Sequence, residues 1–402
     1  MKILVLNAGS SSQKSCLYDL NPTSNLEPPP IPLWEASIDW TVSDEYGLLK
    51  VEANGQKQKI NLPADNRLRG IKTMLETIIT GESKVLEQLT EIDMVGHRIV
   101  HGGREYSQAT LITPEVKAKI EELIPLAPSH NPAHLEGIKA IEEILGDIPQ
   151  VAVFDTAFHT TIPDYAKIYP IPYKFYQQGI QRYGFHGISH EYVAQRTAQI
   201  LNQPLTELNL ITCHLGNGCS ITAVKNGKSV NTSMGFTPLE GVMMGTRSGS
   251  IDPAIVIHLM DEYGFNSKEI NKILNKDSGL LGISGISGDL RSILTAIEQN
   301  NPQAQLAFDI YIYRLQSVIS SMLPILGKLD ALIFTAGVGE NAVIAREKVC
   351  QGLEFLGLKL DLDLNSNQCR EQNIATADST VKILIIPTQE DWAIAKQCLQ
   401  FQ

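Results

Sequence analysis

Two segments of this chain, ILVLNAGSSSQKSCLYDL (residues 3–20) and LITCHLGNGCSITAVKNG (residues 210–227), follow one pattern. An apolar run of strand length meets a turn of small polar residues, and a second run comes back. Apolar runs of this length read as buried strands, and Gly, Ser and Asn supply the turns between them. A pattern that opens each half predicts two related domains facing each other. The length agrees, since 402 residues exceed what one hydrophobic core usually serves. We place the boundary at 150/151, giving domains 1–150 and 151–386, with helix 387–402 completing the first.

Strands and helices alternate elsewhere, which makes the class α/β. Strands are expected at Lys2–Leu6, Asp93–His101, Gln150–Phe154, Asn209–His214, Ala331–Thr335 and Lys382–Ile386. Asn54-Gly55 and Asn226-Gly227 mark tight hairpins. Thr113 before Pro114, and Asn131 before Pro132, read as helix caps followed by the first helical residue. Gly337–Asn341 reads as a Gly-rich turn, and Asp391–Leu399 as a helix capped by Thr388 or Asp391.

Charge narrows the function. The formal net charge is −11, which disfavours nucleic acid and anionic membrane surfaces. Anions must then be held locally, by placed Arg, Lys and backbone N–H groups. The six cysteines form no Cys-x-x-Cys pair and read as free thiols of a cytoplasmic protein. No signal peptide or membrane-spanning run is expected.

Several segments suit phosphate or carboxylate chemistry. In Asn7-Ala-Gly-Ser-Ser-Ser-Gln-Lys14, Ser10, Ser12 and exposed backbone N–H groups offer donors, and Lys14 offers charge. His214-Leu215-Gly216-Asn217-Gly218 is its counterpart in the second half. Arg98 and Arg247 both lie among glycines, where a planar guanidinium stays accessible to a carboxylate or phosphate. Asp155 ends a buried strand, and Glu390 follows the last one; either could serve Mg2+. Histidines pair at His97/His101, His130/His134 and His186/His190, but without a His-Glu-x-x-His pattern. His186 reads as an active-site donor and His190 as a structural one. Gly337-x-Gly339-x-x-Ala342 mimics a dinucleotide fingerprint without the doubly wound context that would support it, and a P-loop is absent.

Taken together, Asn7–Lys14, Gly96–Gly103, Phe154–Pro163, Arg182–His190, His214–Gly218, Met244–Pro253, Phe334–Ala342 and Pro387–Glu390 resemble the acetokinase family, in family order along the chain. The resemblance implies two duplicated actin-like ATPase (ribonuclease H-like) domains with the active-site cleft between them. It implies a homodimer and reversible phosphoryl transfer from ATP to acetate, giving acetyl phosphate and ADP. Asn7 and Glu390 would serve Mg2+, or Mn2+. Lys14, His214–Gly218, Asp289, Leu290, Arg291 and Gly337, Val338, Gly339, Glu340 and Asn341 would hold nucleotide. Arg98 would bind the acyl carboxylate beside His130, and Asp155 would be the catalytic acid. His186 and Arg247 would stabilise the transition state. Ser250, Ala336 and Asp391 depart from the family's usual Asp, Gly and Glu. The alternatives are a propionate or butyrate kinase on the same scaffold, or a non-enzymatic ATP-driven binding protein of the actin or chaperone type.

Overall fold

A computed structural model describes residues 1–9, 12–21, 28–43, 45–63 and 67–401, so Ser10 lies outside the described residues. The chain divides into two units, Met1–Ala157 with Gln389–Gln402, and Phe158–Thr388.

The first unit carries strands β1 (Lys2–Ala8), β2 (Ser12–Asp19), β3 (Trp34–Asp39), β4 (Tyr46–Ala53), β5 (Gln56–Pro63), β6 (Met94–Ile99), β7 (Thr110–Leu111) and β8 (Gln150–Phe154). They form one sheet in the order β5-β4-β3-β2-β1-β6-β8-β7. β1 runs antiparallel to β2 and parallel to β6, which runs parallel to β8. Because β8 hydrogen-bonds into this sheet, the division falls after Ala157, a few residues past the sequence expectation.

The second unit has β9 (Asn209–Leu215), β10 (Cys219–Lys225), β11 (Lys228–Thr232), β12 (Ala331–Thr335) and β13 (Lys382–Ile385). Their order is β11-β10-β9-β12-β13. β9 is antiparallel to β10 and parallel to β12, which is parallel to β13. This repeats β3-β2-β1-β6-β8 strand for strand.

Burial follows position in each sheet. β1 is buried from Ile3 to Asn7, as expected of a strand covered on both faces, whereas β4 alternates buried and open positions. The inner face of β1–β4 packs Leu4, Trp34, Ile38 and Leu49 against Ile71, Leu75 and Ile141, from helices Arg67–Ile79 and Asn131–Leu145. Each such side chain contributes about 1.5–3 kcal/mol on burial. Helix Glu390–Cys398 returns to the first sheet. Its Ile394 and Cys398 come so close to β6 that a methyl at Gly96 would lie 2.7 Å from each.

Both Asn-Gly hairpins form with left-handed residues, Asn54 at φ 53° and Gly55 at 73°, Asn226 at 52° and Gly227 at 77°. Thr113 caps its helix by accepting from the Val116 N–H. Three local expectations change. The helix at Asn131 is entered from His130, because the Asn131 amide donates to the Ile120 carbonyl at 3.2 Å instead of capping. Gly337–Asn341 is a helical turn, Ala336–Asn341, started by Ala336 at φ 63°. Helix Glu390–Cys398 begins after Gln389 with no side-chain cap, since Asp391 bonds elsewhere. Among the described residues no helix is long and apolar enough to cross a membrane. All six cysteines are free.

Candidate functional site

In the first unit, β1, β6, β8 and helix Glu390–Cys398 bring four of the expected residues together. Arg98 on β6 donates from Nε and Nη2 to one oxygen of Asp155, at 3.1 and 2.6 Å. Its Nη1 donates to Asn7 Oδ1 at 3.2 Å. Three of the five guanidinium N–H donors are thereby engaged, which leaves two for a carboxylate. Burial works against the charge of Arg98. Asp155, then Glu390, outweigh burial and raise its pKa. Asp155 is buried just past the end of β8, where it accepts both of these Arg98 hydrogen bonds.

The Asn7 amide nitrogen donates to Asp391 Oδ1 at 2.9 Å and to Glu390 Oε2 at 3.3 Å. Asn7 thus joins the arginine to two carboxylates from the first turn of a helix. Burial raises the Asp391 pKa against the Asn7 hydrogen bond, and Glu390 adds to the rise. Carboxylate oxygens in this arrangement suit a hard cation that keeps several waters. His130 leads into helix Asn131–Leu145 with its ring 6.5 Å from that of His134. Lys14 and Ser12 lie on β2. Lys14 lines a cavity of about 620 Å³ with Glu35, Lys50, Lys57 and Asp391.

The second unit holds a different cavity, of about 630 Å³. Three expected segments line it: Gly216 and Asn217 from the β9–β10 turn, Asp289, Leu290 and Arg291, and Gly337, Val338 and Asn341. Gly288, Leu294 and Ala342 complete it. Asp289 caps helix Leu290–Glu298 by accepting from the Arg291 N–H, and holds the Arg291 guanidinium at 2.5 Å. A helix N-terminus at this position offers N–H groups to an anion. Four other expected residues stand behind the wall. Leu215 is in the core, and a methyl on Gly339 would lie 3.3 Å from the Phe334 carbonyl carbon. Glu340 accepts from the Thr388 N–H at 3.1 Å. His214 bonds through Nδ1 to Ser189 at 2.8 Å.

Gly218 lies where His186 and Arg247 converge. A side chain there would begin 3.5 Å from both Nη atoms of Arg247 and 3.6 Å from His186 Cε1. His186 itself is left-handed, at φ 57°, and its ring stacks on His214 with centroids 4.1 Å apart. Arg247 donates to the Pro238 carbonyl at 2.9 Å. Among the described residues no carboxylate forms an ion pair with it, and burial lowers its pKa. Ser250 closes its loop onto Gly241, donating N–H to the Gly241 carbonyl and accepting the Gly241 N–H.

The sequence reading missed Asp391 as a partner of Asn7, Ser220 as a bridge between histidines, and Arg346. Arg346 is fully buried and donates to Gly339 O at 2.9 Å and Asn365 Oδ1 at 2.7 Å, anchoring the Ala336–Asn341 turn. Burial brings its pKa down to about 10. A single Arg in Val343–Gln351 has no sequence signal that separates it from a surface cation.

A family model described as the acetokinase family matches residues 2–396. The chain is 63% identical over 398 residues to a protein of Rippkaea orientalis named acetate kinase, covering 99% of this chain and 98% of that one. It is similar to the crystal structure of Porphyromonas gingivalis acetate kinase, with a TM-score of 0.91, 41% identity and 99% of both chains covered. It is also similar to a propionate kinase from Francisella tularensis, with a TM-score of 0.89, 41% identity and 98% of both chains covered.

Proposed function

Because the chain belongs to the acetokinase family, we propose that it transfers the γ-phosphoryl group of ATP to acetate, reversibly and in one direct step. The observation that carries this reading is the second unit's cavity, built from the three segments expected to hold nucleotide. The carboxylate reading is supported by Arg98, which keeps two donors in reserve while Asp155 fixes its plane.

A free carboxylate has a pKa near ~4 and is ionised at pH 7, so attack needs no general base. Asp155 then serves by orienting Arg98. The transferring phosphoryl spreads charge over its equatorial oxygens and needs donors in line. Arg247 supplies an uncompensated cation and His186 a ring N–H. Mg2+ fits Glu390 and Asp391, with Asn7 holding both, and would supply charge neutralisation on the phosphates. Lys14 remains our candidate for a further phosphate contact, and His130 for the acyl pocket.

A homodimer is supported by helix Pro253–Tyr263, which is apolar yet buries no residue in the monomer, and whose Ile257 and Tyr263 are exposed. Sedimentation would measure it. The free, mostly buried thiols support a cytoplasmic location.

The decisive assay traps acyl phosphate as hydroxamate and compares kcat/KM for acetate, propionate and butyrate. Acetate should lead. One methylene discriminates by only about 1–3 kcal/mol, so a higher value for propionate would transfer the reading to the propionate kinase alternative. No hydroxamate from any short acid would end it.

A further inference from the structure

The backbone of Arg247 and its guanidinium are held by different groups. The backbone lies in a loop closed by its own hydrogen bonds. The Gly241 N–H donates to Ser250 Oγ at 3.0 Å, the Ser250 N–H donates to the Gly241 carbonyl at 2.9 Å, and the Met244 N–H donates to the Arg247 carbonyl at 3.1 Å. Among the described residues, the guanidinium has the Pro238 carbonyl at 2.9 Å and the Met244 sulfur, a weak acceptor, at 3.6 Å. Where the charge stands therefore depends on where Pro238 stands.

Pro238 is the middle residue of a short loop, Phe236 to Glu240, that one hydroxyl ties across its ends. Tyr169 Oη accepts the Phe236 N–H at 2.8 Å and donates its own proton to Glu240 Oε2. The tie thus grips the chain two residues before Pro238 and two residues after it. Arg182 Nη2 donates to the other Glu240 oxygen, Oε1, at 2.6 Å. Its Nη1 lies 2.8, 3.1 and 3.0 Å from the carbonyl oxygens of Thr232, Ser233 and Met234, where the chain leaves β11. One guanidinium therefore holds both the entry to the loop and its exit. Gly235 makes the tie possible, because a methyl there would overlap Glu240 Oε2 and Tyr169 Oη.

We infer that Tyr169 is a positioning residue, which with Glu240 and Arg182 fixes the Pro238 carbonyl and through it the Arg247 guanidinium beside Gly218. This rests on the role given to Arg247 above.

The test is steady-state kinetics on the full chain with ATP and acetate, by hydroxamate trapping, in the wild-type and Arg247→Ala backgrounds. Tyr169→Phe keeps the ring and removes the tie. It should lower kcat about tenfold, within what a displacement of about 1 Å can cost. Both KM values should stay within about twofold of wild type, because the interaction lost belongs to the transition state. Glu240→Gln leaves one acceptor oxygen for two donors, Tyr169 and Arg182, and should do the same; if Tyr169→Phe does not fold, Glu240→Gln carries the test. In the Arg247→Ala background neither change should alter kcat by more than about twofold, since nothing is left to position. An undiminished tenfold loss in that background overturns the inference, because it marks a general structural role. So does a wild-type kcat in either folded single variant, or a loss carried by KM alone. Failure of the underlying reading looks different: Arg247→Ala alone would keep full kcat, and the inference would fall with it.

Discussion

Arg247→Ala should separate activity from stability. Arg247 has one carbonyl partner, Pro238, at 2.9 Å, and no acid among the described residues, so the folded protein holds a partly buried guanidinium without an opposite charge there. Truncation loses that hydrogen bond and the packing of the stem, together about 1.5–3 kcal/mol for a bond from a charged donor. It also removes the desolvation cost of the charge, which is several kcal/mol for a buried ion. The balance lies between zero and about 2 kcal/mol of added stability. The same truncation removes the cation closest to Gly218, where His186 also converges. By the scale of an arginine finger, kcat should fall about 10³-fold, equivalent to about 4 kcal/mol in the barrier. Hydroxamate trapping measures the rate, and urea melts of the same preparation measure the midpoint. A rate loss below tenfold would sink the assigned role. A clear fall in the urea midpoint would refute the claim that this charge is unpaired.

Asp155→Ala should behave oppositely, costing up to about 3 kcal/mol in urea melts, because it leaves the largely covered Arg98 guanidinium without its ion-pair partner. Gly279→Ala places a methyl 2.2 Å from the Met244 carbonyl oxygen and 2.8 Å from that of Arg247, at φ 63°. It should destabilise by about 2 kcal/mol and lower kcat at least about tenfold, since neither backbone oxygen can move without the loop that presents Arg247. Ala336→Gly should raise the melting temperature, by up to about 1 kcal/mol of stability, because Ala336 sits at φ 63° and a Cβ is unfavourable there. Burial lowers His97, His101 and His159 to about 4 each. The unfolded chain then binds more protons than the folded one between about pH 6.5 and 4. Urea stability should be full above the unfolded pKa and fall steadily as pH drops through that window. Constant stability from pH 7 to 4.5 would contradict the burial of these rings.

The parts of the fold readable in the sequence were those with local causes. Ala331–Thr335 and Gln150–Phe154 are apolar runs, and their strand limits match because central strands are buried on both faces. The Asn-Gly hairpins follow from the need for left-handed residues. The strand order was not readable, since it depends on hydrogen bonds between distant segments. The same division holds at the site. The Gly216–Asn217 and Gly337–Asn341 turns announce themselves by composition, and the structure lines one cavity with both. Asp391 does not, because a carboxylate in a first helical turn looks like a dipole or capping residue until Asn7 is seen against it. Ser220, in the buried strand β10, has nothing in its local sequence to mark it as a bridge between two rings. Ala336 is a case where a departure from the family pattern could be noticed in sequence, but its strain could not be known before φ was.

Asn7 and Glu390, joined by a hydrogen bond, are separated by 383 positions. Translation at roughly 5–20 residues per second puts about 20–80 s between their emergence from the ribosome. Through that interval the first sheet lacks the helix that seals Tyr18 and β6, and nascent chains carry an uncovered apolar surface beside an unfinished set of acids. The second unit, Phe158–Thr388, is one contiguous stretch of chain. A message broken after codon 388 would therefore encode a chain that keeps every residue of the 630 Å³ cavity and loses both Glu390 and Asp391.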